Sequence, residues 1–530
     1  MSLIKNVGTI GGLTAVSRVF GFARDMLFAR LFGAGLAADA FQLAFTLPNT
    51  FRRLFAEGAF SVAFVPMYSK KLHGEGGEDE AAHFANDVLS MFVWVLFGFS
   101  ILCIAGMEAI VWLLAREYQH VPGKFELSVT LSRITFPYLG LISVVALLSG
   151  ILNTRSRFAP GAIAPILLNL CLIGGMTWGW ATGQTDIAKA LSQSWAVSVA
   201  GLAQLSYLAW SVKRAGVRLK LHWPRMTPDT KVLLWRIFPA TFGAGIYQLS
   251  QLADTFFATS LKQGSLTLLK MADRLNQMPL GIVGIALGTA ILPTLSRHIA
   301  SGDERGAAQL QGRAIELATL LTVPAAFALA VCAPAFVNAF FVGGKFRPED
   351  GAIMSEIVVA LVCGLPSYVL VKVLEPGYFS RGDTRTPVMT AATALSFNIF
   401  LNLVVVRPFG IVGLAGATAC SASLNCLLLY ANLHRRGHFR FDLPLLSRVV
   451  RQFAASAVMA AALWYLLRAT MPLYSGSVAE KASGIMLLVA AGLVVYAAVA
   501  WVIGAVDKED IAILARRRSA KPIDEEIPGF

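Results

Sequence analysis

The chain has 530 residues, of which 56% are hydrophobic and only 14% are charged. Globular domains carry roughly 45–50% apolar and about 25% charged residues, so this composition excludes an ordinary soluble domain. The mean hydropathy of +0.64 reflects apolar segments along the whole length, as a membrane protein with many spans requires.

Apolar windows between polar residues predict an all-α polytopic membrane protein with about 14 transmembrane helices, since each span needs about 20 residues. The alternation typical of strands is absent. Arg18, Arg24 and Asp25 interrupt the first window where a signal peptide needs an uncharged segment, so we expect this window to stay in the mature protein. In chain order, the windows are 5–32, 37–68, 84–114, 126–152, 159–181, 187–211, 232–261, 266–296, 308–341, 352–378, 387–406, 411–434, 447–468 and 481–505.

Basic residues number 45 against 31 acidic residues, a formal net charge of +14. When successive loops are assigned alternately to the two sides of a membrane, most basic residues fall on the side that holds both termini. The positive-inside rule therefore predicts cytoplasmic termini. The same residues are scattered over many short loops, which disfavours a nucleic-acid partner.

The sequence offers little support for catalysis or a metal centre. Its six cysteines lie in apolar stretches without a Cys-x-x-Cys or His/Cys cluster, so we predict no metal site and no disulfide. A phosphate-binding P-loop motif is absent, and no acidic pair lies on a loop within a plausible catalytic domain. We therefore expect a protein that is not an enzyme and carries no cofactor.

An internal repeat emerges when the chain is shifted against itself by about 227 positions. Residues 59–70 then lie over 286–297, Pro160 over Pro387, and Pro137 over Pro366 at the slightly larger offset of 229. The repeat predicts two parallel six-helix lobes. The predicted domains are 1–220 and 225–440, followed by 441–530 with two additional helices and a basic cytoplasmic tail.

Charged residues concentrate in the first two helices, although an ionised side chain at mid-bilayer costs at least roughly 2.5–3.5 kcal/mol. Arginine grips phosphate oxygens with two parallel hydrogen bonds, so several arginines around a cavity suit a diphosphate. The alternative is a set of interhelical ion pairs, which we favour for Arg53 and Glu57. The predicted diphosphate site comprises Arg18, Arg24, Arg52 and Arg274, with Asp25, Asp39, Arg53 and Glu57 as supporting residues.

A candidate ion site centres on Asp254, which has no basic residue nearby in its own helix. Asn398 and Asn402 share one face of the eleventh span, and Thr418 adds a hydroxyl in the twelfth; these oxygen donors suit Na⁺, and Asp254 could instead carry H⁺. The alternative is a neutral buried carboxyl bonded to an asparagine. Lys372 and Glu375, three residues apart, are predicted to pair.

Long stretches of the chain resemble the MurJ/MviN family, the lipid II flippases of the multidrug/oligosaccharidyl-lipid/polysaccharide exporter superfamily. The stretches that carry this resemblance are 17–25, 38–41, 47–61, 272–274 and 380–387. Arg18, Arg24, Arg52 and Arg274 match arginines that are important in the family. Asp25 and Asp39 match as well.

The resemblance implies export of lipid II, an undecaprenyl-diphosphate carrying a disaccharide-pentapeptide, to the outer leaflet of the bacterial inner membrane. It implies alternating access driven by an ion gradient or the membrane potential, with the windows 447–468 and 481–505 forming a groove for the lipid tail. Membrane lipids and cell-wall synthesis or division proteins are the further expected partners. The alternatives are an exporter of another polyprenyl-diphosphate-linked oligosaccharide, a cationic-drug antiporter, and a non-transporting scaffold for cell-wall enzymes.

Overall fold

The computed structural model describes residues 3–53 and 59–505. Across these ranges the chain is helical and contains no strand, apart from an isolated bridge between Gly343 and Phe346, which confirms the predicted all-α class. Glu57 and the predicted basic tail from residue 506 onward lie outside the described residues. The α-helices are α1 (Leu3–Phe32), α2 (Leu36–Arg52), α3 (Ala59–Leu72), α4 (Gly77–Ala105), α5 (Met107–Ala115), α6 (Lys124–Thr135), α7 (Tyr138–Thr154), α8 (Ala159–Ala181), α9 (Asp186–Arg214), α10 (Pro228–Thr259), α11 (Ser265–Pro279), α12 (Ile285–Ala300), α13 (Glu304–Phe340), α14 (Pro348–Val362), α15 (Leu365–Phe379), α16 (Arg385–Arg435), α17 (Leu443–Thr470) and α18 (Val478–Val502).

Every predicted window contains helix in the described ranges, and short breaks divide some of the windows. Nine helical stretches in the described ranges are long and apolar enough to cross a membrane, so the chain is a multi-pass membrane protein. The count of fourteen crossings stays a prediction.

Several windows predicted as one helix are divided into two. Gly106 separates α4 from α5, and its amide closes α4 by binding the Leu102 carbonyl. Pro137 separates α6 from α7, because proline lacks the N–H that a continuous helix requires. Gly364 lies between α14 and α15 in the same way. Glycine and proline therefore set internal breaks that a hydropathy window does not register.

Polar caps fix where several helices begin. Thr185 and Thr227 each accept a backbone N–H in the first turn of α9 and α10. Asp442 does the same for α17, and Ser477 forms a reciprocal capping box with Glu480 at α18. A cap satisfies backbone groups that have no partner within the helix. These helices consequently begin one to four residues before the apolar windows that predict them.

The 51-residue helix α16 contains two predicted spans. At 1.5 Å per residue it would extend about 76 Å, more than twice the thickness of a hydrocarbon core. Gly410 interrupts it with φ 56° and ψ −136°, a backbone conformation that side chains with a Cβ rarely adopt. This glycine therefore joins the predicted spans 387–406 and 411–434.

The helices form two compact units, each assembled from separate chain segments. The predicted lobes 1–220 and 225–440 concern an internal repeat and remain a prediction. The first unit comprises Met1–Arg274, Phe340–Ile357 and Ala391–Thr418, and the second comprises Leu275–Ala339, Val358–Thr390 and Ala419–Phe530.

In the first unit, α8 packs against both α1 and α9, and α2 packs against α6. Aromatic contacts support this packing, with Phe28 stacked on Phe32 and tilted against Phe41. The contact between α1 and α8 places polar side chains of the two helices side by side.

In the second unit, the two C-terminal helices α17 and α18 pack together. Arg448 of α17 binds both carboxylate oxygens of Glu316 on α13, at 3.0 and 2.9 Å. Glu316 is 5% exposed, so its carboxylate depends on partners supplied by the protein. This ion pair joins the additional helices to the rest of the unit.

One ion pair occurs in both halves of the sequence. Glu78, at the start of α4, pairs with Arg155 after α7 at 3.1 Å. Glu304, at the start of α13, pairs with Arg381 after α15 at 2.5 Å. Both residues of the second pair lie 226 positions after those of the first, close to the offset of the predicted repeat.

The turn between α15 and α16 is fixed by Asp383. Its carboxylate accepts the amide and hydroxyl of Thr386, at 2.9 and 2.6 Å, and the Arg436 guanidinium at 2.6 Å. Burial acts to raise the pKa of Asp383, but these donors outweigh it and lower the pKa to about 2. Asp383 therefore stays ionised at physiological pH and orders the segment that carries part of the family resemblance.

We expect Gly410→Ala to destabilise the protein by about 1–3 kcal/mol, because alanine does not tolerate this backbone conformation. Gly416→Ala is the matched control: a Cβ at either position meets no atom within 4 Å, and Gly416 has no positive φ. Thermal unfolding of the purified variants measures the difference. Equal stabilities would show that the α16 kink does not depend on glycine.

Candidate functional site

The first cluster of buried charge lies on α1. The Arg24 guanidinium binds Asp25 Oδ1 through Nε at 3.0 Å and through Nη2 at 2.6 Å. Their side chains are only 11% and 16% exposed. Because both donors of Arg24 bind Oδ1, the second carboxylate oxygen of Asp25 stays available to another helix.

Arg274 of α11 uses that second oxygen. Its Nε lies 3.2 Å from Asp25 Oδ2, and its side chain is 41% exposed. One carboxylate thus bridges two guanidinium groups from helices far apart in sequence. Two positive charges against one negative charge leave an excess of one positive charge in the group formed by Arg24, Asp25 and Arg274, here called the arginine cluster.

Asn169 of α8 completes the surroundings of Arg24. Its Oδ1 accepts a hydrogen bond from Arg24 Nη1 at 2.9 Å, and its Nδ2 donates to the Ser17 carbonyl at 3.1 Å. A Cβ built on Gly21 would lie 3.5 Å from the same amide. The sequence analysis missed Asn169, because an asparagine in an apolar helix gives no charge signal. To identify Asn169, one would have to know that α8 packs against α1, and the sequence does not show this packing.

The remaining predicted basic residues are placed as follows. Arg18 is exposed on α1, about two turns before Asp25. Arg52, half-buried at the end of α2, has its Nε 3.4 Å from Asn49 Oδ1. Arg53 follows α2 and is also half-buried. Glu57 lies outside the described residues, so its predicted pairing with Arg53 stays a prediction.

Asp39 has partners other than the predicted arginines. Its carboxylate accepts Lys124 Nζ at 2.8 Å, the Gly264 amide at 2.7 Å, and the amide and hydroxyl of Thr267 at 3.1 and 2.7 Å. Asp39 and Lys124 are 1% and 2% exposed. Lys124 also lies 3.9 Å above the centre of the Tyr118 ring. Asp39 therefore acts as a structural carboxylate with four donors.

These contacts give Asp39 the role of an N-cap supplied from another helix. The first N–H groups of a helix lack intrahelical partners and favour a negative charge. Asp39 on α2 satisfies those at the start of α11, the helix that carries Arg274. Asp39 thus fixes the beginning of α11. Because Arg274 lies on the same helix, its position along the helix axis is fixed as well.

The candidate ion site brings α10 and both parts of α16 together. Thr418 Oγ1 lies 3.4 Å from each carboxylate oxygen of Asp254, and Asn402 Nδ2 donates to Asn398 Oδ1 at 3.0 Å. Asn402 is also within hydrogen-bonding reach of Asp254. Both asparagines are fully buried, and Asp254 is 7% exposed. The four residues predicted from the sequence therefore form one buried polar group.

Lys270 is a neighbour of this group that the sequence analysis did not consider. It lies on α11, not on the helix of Asp254, and acts electrostatically on the Asp254 carboxylate. Asp273 and Arg274 of the same helix act on Lys270 in turn. A lysine one turn from Arg274 therefore lies near the candidate ion site.

Other predicted features concern single pairs. Lys372 Nζ lies 3.0 Å from Glu375 Oε2, which confirms that predicted pair. Among the described residues, no group of three or more His, Cys, Asp and Glu side chains has the arrangement of a metal site.

Comparison with known proteins decides the family. A sequence model described as "Lipid II flippase MurJ" matches residues 28–482. A protein of Rhizobium meliloti (strain 1021) named "Probable lipid II flippase MurJ" is 41% identical over 507 residues, covering 95% of this chain and 94% of the relative. The chain belongs to the MurJ family. A Burkholderia cenocepacia protein named "Lipid II flippase MurJ" is 33% identical over 512 residues, with 95% and 98% of the two chains covered.

Solved structures agree with the MurJ assignment at the level of fold. A structure described as "Lipid II flippase MurJ, inward closed conformation" has a TM-score of 0.76 at 22% identity and covers 96% of this chain and 99% of its own. An inward-facing multidrug resistance transporter of the MATE family has a TM-score of 0.68 at 11% identity, covering 80% and 95%. The resemblance drawn from the sequence motifs is thereby confirmed.

In this MurJ family member, we expect Asp39→Asn to destabilise the fold by about 3–5 kcal/mol, because it leaves the Lys124 ammonium buried without its carboxylate. Lys124→Gln should have a similar effect. The double variant Asp39→Asn/Lys124→Gln should lose less than the sum of the two, since no unpaired charge remains. Thermal unfolding of the three variants measures this coupling, and additive losses would argue against the ion pair.

Proposed function

We propose that this protein flips lipid II from the cytoplasmic to the outer leaflet of the bacterial inner membrane, with the arginine cluster binding the diphosphate. Membership of the MurJ family supports the substrate. The observation that carries the site is the Asp25 carboxylate shared between Arg24 and Arg274. This arrangement keeps two guanidinium groups close together and leaves them incompletely neutralised.

The charge balance of the cluster favours an anion with several acceptor oxygens. Each guanidinium carries five N–H donors, and Asp25 uses only some of those on Arg24 and Arg274. A diphosphate supplies negative charge and oxygens that match the planar guanidinium geometry. Arg18 and Arg52 are proposed to complete the site around the same substrate.

The transport cycle is proposed to be alternating access, with the two predicted lobes rocking about a cavity that contains the arginines. The diphosphate head would enter this cavity while the polyprenyl tail stays in lipid. α17 and α18, which occupy the windows predicted to border the tail, are proposed to guide it. Both termini are proposed to face the cytoplasm, following the positive-inside rule.

We expect Arg24→Ala, Arg52→Ala, Arg274→Ala and Arg18→Ala each to abolish lipid II flipping while leaving the protein inserted. Arg24→Lys should also impair flipping, because an ammonium lacks the two-pronged geometry. Arg53→Ala should be milder. Flipping of lipid II by purified protein in vesicles, measured as accessibility of the headgroup to an added enzyme, provides the readout.

Arg468→Ala is the matched control, because Arg468 is an exposed arginine stacked on Trp464 at 3.6 Å and far in sequence from the cluster. It should flip lipid II normally. Normal flipping by all four arginine-to-alanine variants would contradict the proposed site. Flipping of a different polyprenyl-diphosphate-linked glycan in preference to lipid II would favour the alternative exporter function, and binding without flipping would favour a scaffold.

We further propose that the buried group around Asp254 couples flipping to Na⁺ or H⁺. Asn402 Oδ1 is buried without a hydrogen-bond partner, so an acceptor oxygen remains beside the Asp254 carboxylate and the Thr418 hydroxyl. Oxygen donors of this kind are what a hard cation prefers. Asp254, Thr418, Asn398 and Asn402 would hold such an ion, and its binding would favour one state of the lobes over the other.

Lys270 offers a competing way to neutralise Asp254. Removing the charge of Lys270 distinguishes neutralisation of Asp254 by a bound cation from neutralisation by Lys270. If a bound cation and Lys270 compete for the carboxylate, Lys270→Met should increase the affinity for the cation. If Lys270 is the sole counter-charge, the same variant should create a cation dependence that the parent protein lacks.

Asp254→Asn should abolish the dependence of flipping on Na⁺ or pH, because the carboxylate that holds the ion is gone. Flipping rates in vesicles with imposed Na⁺ and pH gradients measure this dependence. Glu349→Gln, at an exposed acid in the first turn of α14, controls for the loss of one negative charge. A normal rate with a normal ion dependence in Asp254→Asn would show that the site has no coupling role.

A further inference from the structure

Arg24 lies in a cradle formed by two polar side chains from different helices. Asp25 Oδ1 on α1 accepts two of its N–H groups, at 3.0 and 2.6 Å, and Asn169 Oδ1 on α8 accepts a third at 2.9 Å. Asn169 is 6% exposed, and its own N–H is fixed by the Ser17 carbonyl at 3.1 Å. The Arg24 guanidinium is therefore held by two acceptors, each restrained by another contact: Asn169 by the Ser17 carbonyl and Asp25 by Arg274.

The same pair of residue types recurs in the second half of the chain. Asp254 and Asn398 lie 229 positions after Asp25 and Asn169, the offset that also relates Pro137 to Pro366. In the order of the predicted spans, each acid is in the first helix of its repeat and each asparagine is in the fifth. The residue 229 positions after Arg24 is Ala253, so the second pair has no arginine beside it.

We infer that Asp25 and Asn169 form a cation cradle that is permanently filled by the Arg24 side chain, and that Asn169 is the positioning residue for this arginine. The second repeat retains a comparable acid and asparagine, but Ala253 stands where the first repeat has Arg24. The first cradle thus holds a guanidinium group that cannot dissociate. Its consequence for transport rests on the proposed lipid II function, whereas the cradle itself is a property of the fold.

The geometry also says what the cradle does for Arg24. Of the five N–H groups of a guanidinium, three bind Asp25 and Asn169, so two remain to face a phosphate oxygen. Without Asn169, the guanidinium could rotate about its bonds to Asp25. Misplacement of a binding group by about 1 Å can cost up to 100-fold in rate, so Asn169→Ala should slow flipping substantially without removing any charge.

The cradle can be tested by vacating it. In purified Arg24→Ala, added guanidinium ion at millimolar concentration should raise the thermal unfolding temperature in a saturable way. The parent protein, whose cradle is filled, should show no such rise. Arg24→Ala/Asn169→Ala should also show none, and neither should Arg468→Ala. Sodium and tetramethylammonium ions serve as comparison cations, because neither has the planar donor geometry.

Flipping assays on the same variants separate this inference from the proposed function. Guanidinium should partly restore lipid II flipping to Arg24→Ala but not to Arg24→Ala/Asn169→Ala. If Arg24→Ala is not stabilised by guanidinium, the cradle is refuted, whatever happens to flipping. If stabilisation depends on Asn169 and yet Arg24→Ala flips lipid II normally, the cradle stands and the proposed diphosphate site fails.

Discussion

A charged side chain within a bilayer needs a counter-charge or hydrogen-bonding partners supplied by the protein. The Asp25 carboxylate meets this need for arginines on both α1 and α11. It binds Arg24 on its own helix and Arg274 on α11 with separate oxygens. Loss of this one carboxylate would leave the largely buried Arg24 guanidinium without its counter-charge, a larger penalty than the loss of an exposed ion pair. The position of α1 relative to α11, and with it the spacing of the arginines, follows from that constraint.

Asp25 on α1 and Asp39 on α2 have the same functional group but bind different kinds of partner. Asp39 is surrounded by four donors that include backbone amides of α11, which a substrate cannot displace without unwinding a helix end. Asp25 binds the guanidinium groups of Arg24 and Arg274, whose remaining N–H groups stay available to the proposed phosphate ligand. The first arrangement suits permanent structure and the second suits an exchangeable ligand, although both acids look alike in the sequence.

The helical class and the positions of most apolar windows could be predicted because hydropathy is a local property of the sequence. The breaks at Gly106 and Pro137 and the early starts set by Thr227 and Asp442 were not, since a window of apolar residues averages over the single residue that ends or caps a helix. Arg24, Asp25 and Arg274 were identified by their charge in an apolar setting. Asn169, Lys124 and Lys270 were missed because their meaning depends on which helix packs beside them, and that information is not local.

The helix α11 carries Lys270 and Arg274 one turn apart, near Asp254 and against Asp25 respectively. Four residues correspond to about 6 Å along a helix axis, and an α-helix of this length transmits displacement without stretching. A displacement of α11 at Lys270, beside Asp254, would therefore shift the Arg274 guanidinium beside Asp25 by nearly the same distance. One helical turn of α11 therefore links the proposed ion site directly to the proposed diphosphate site.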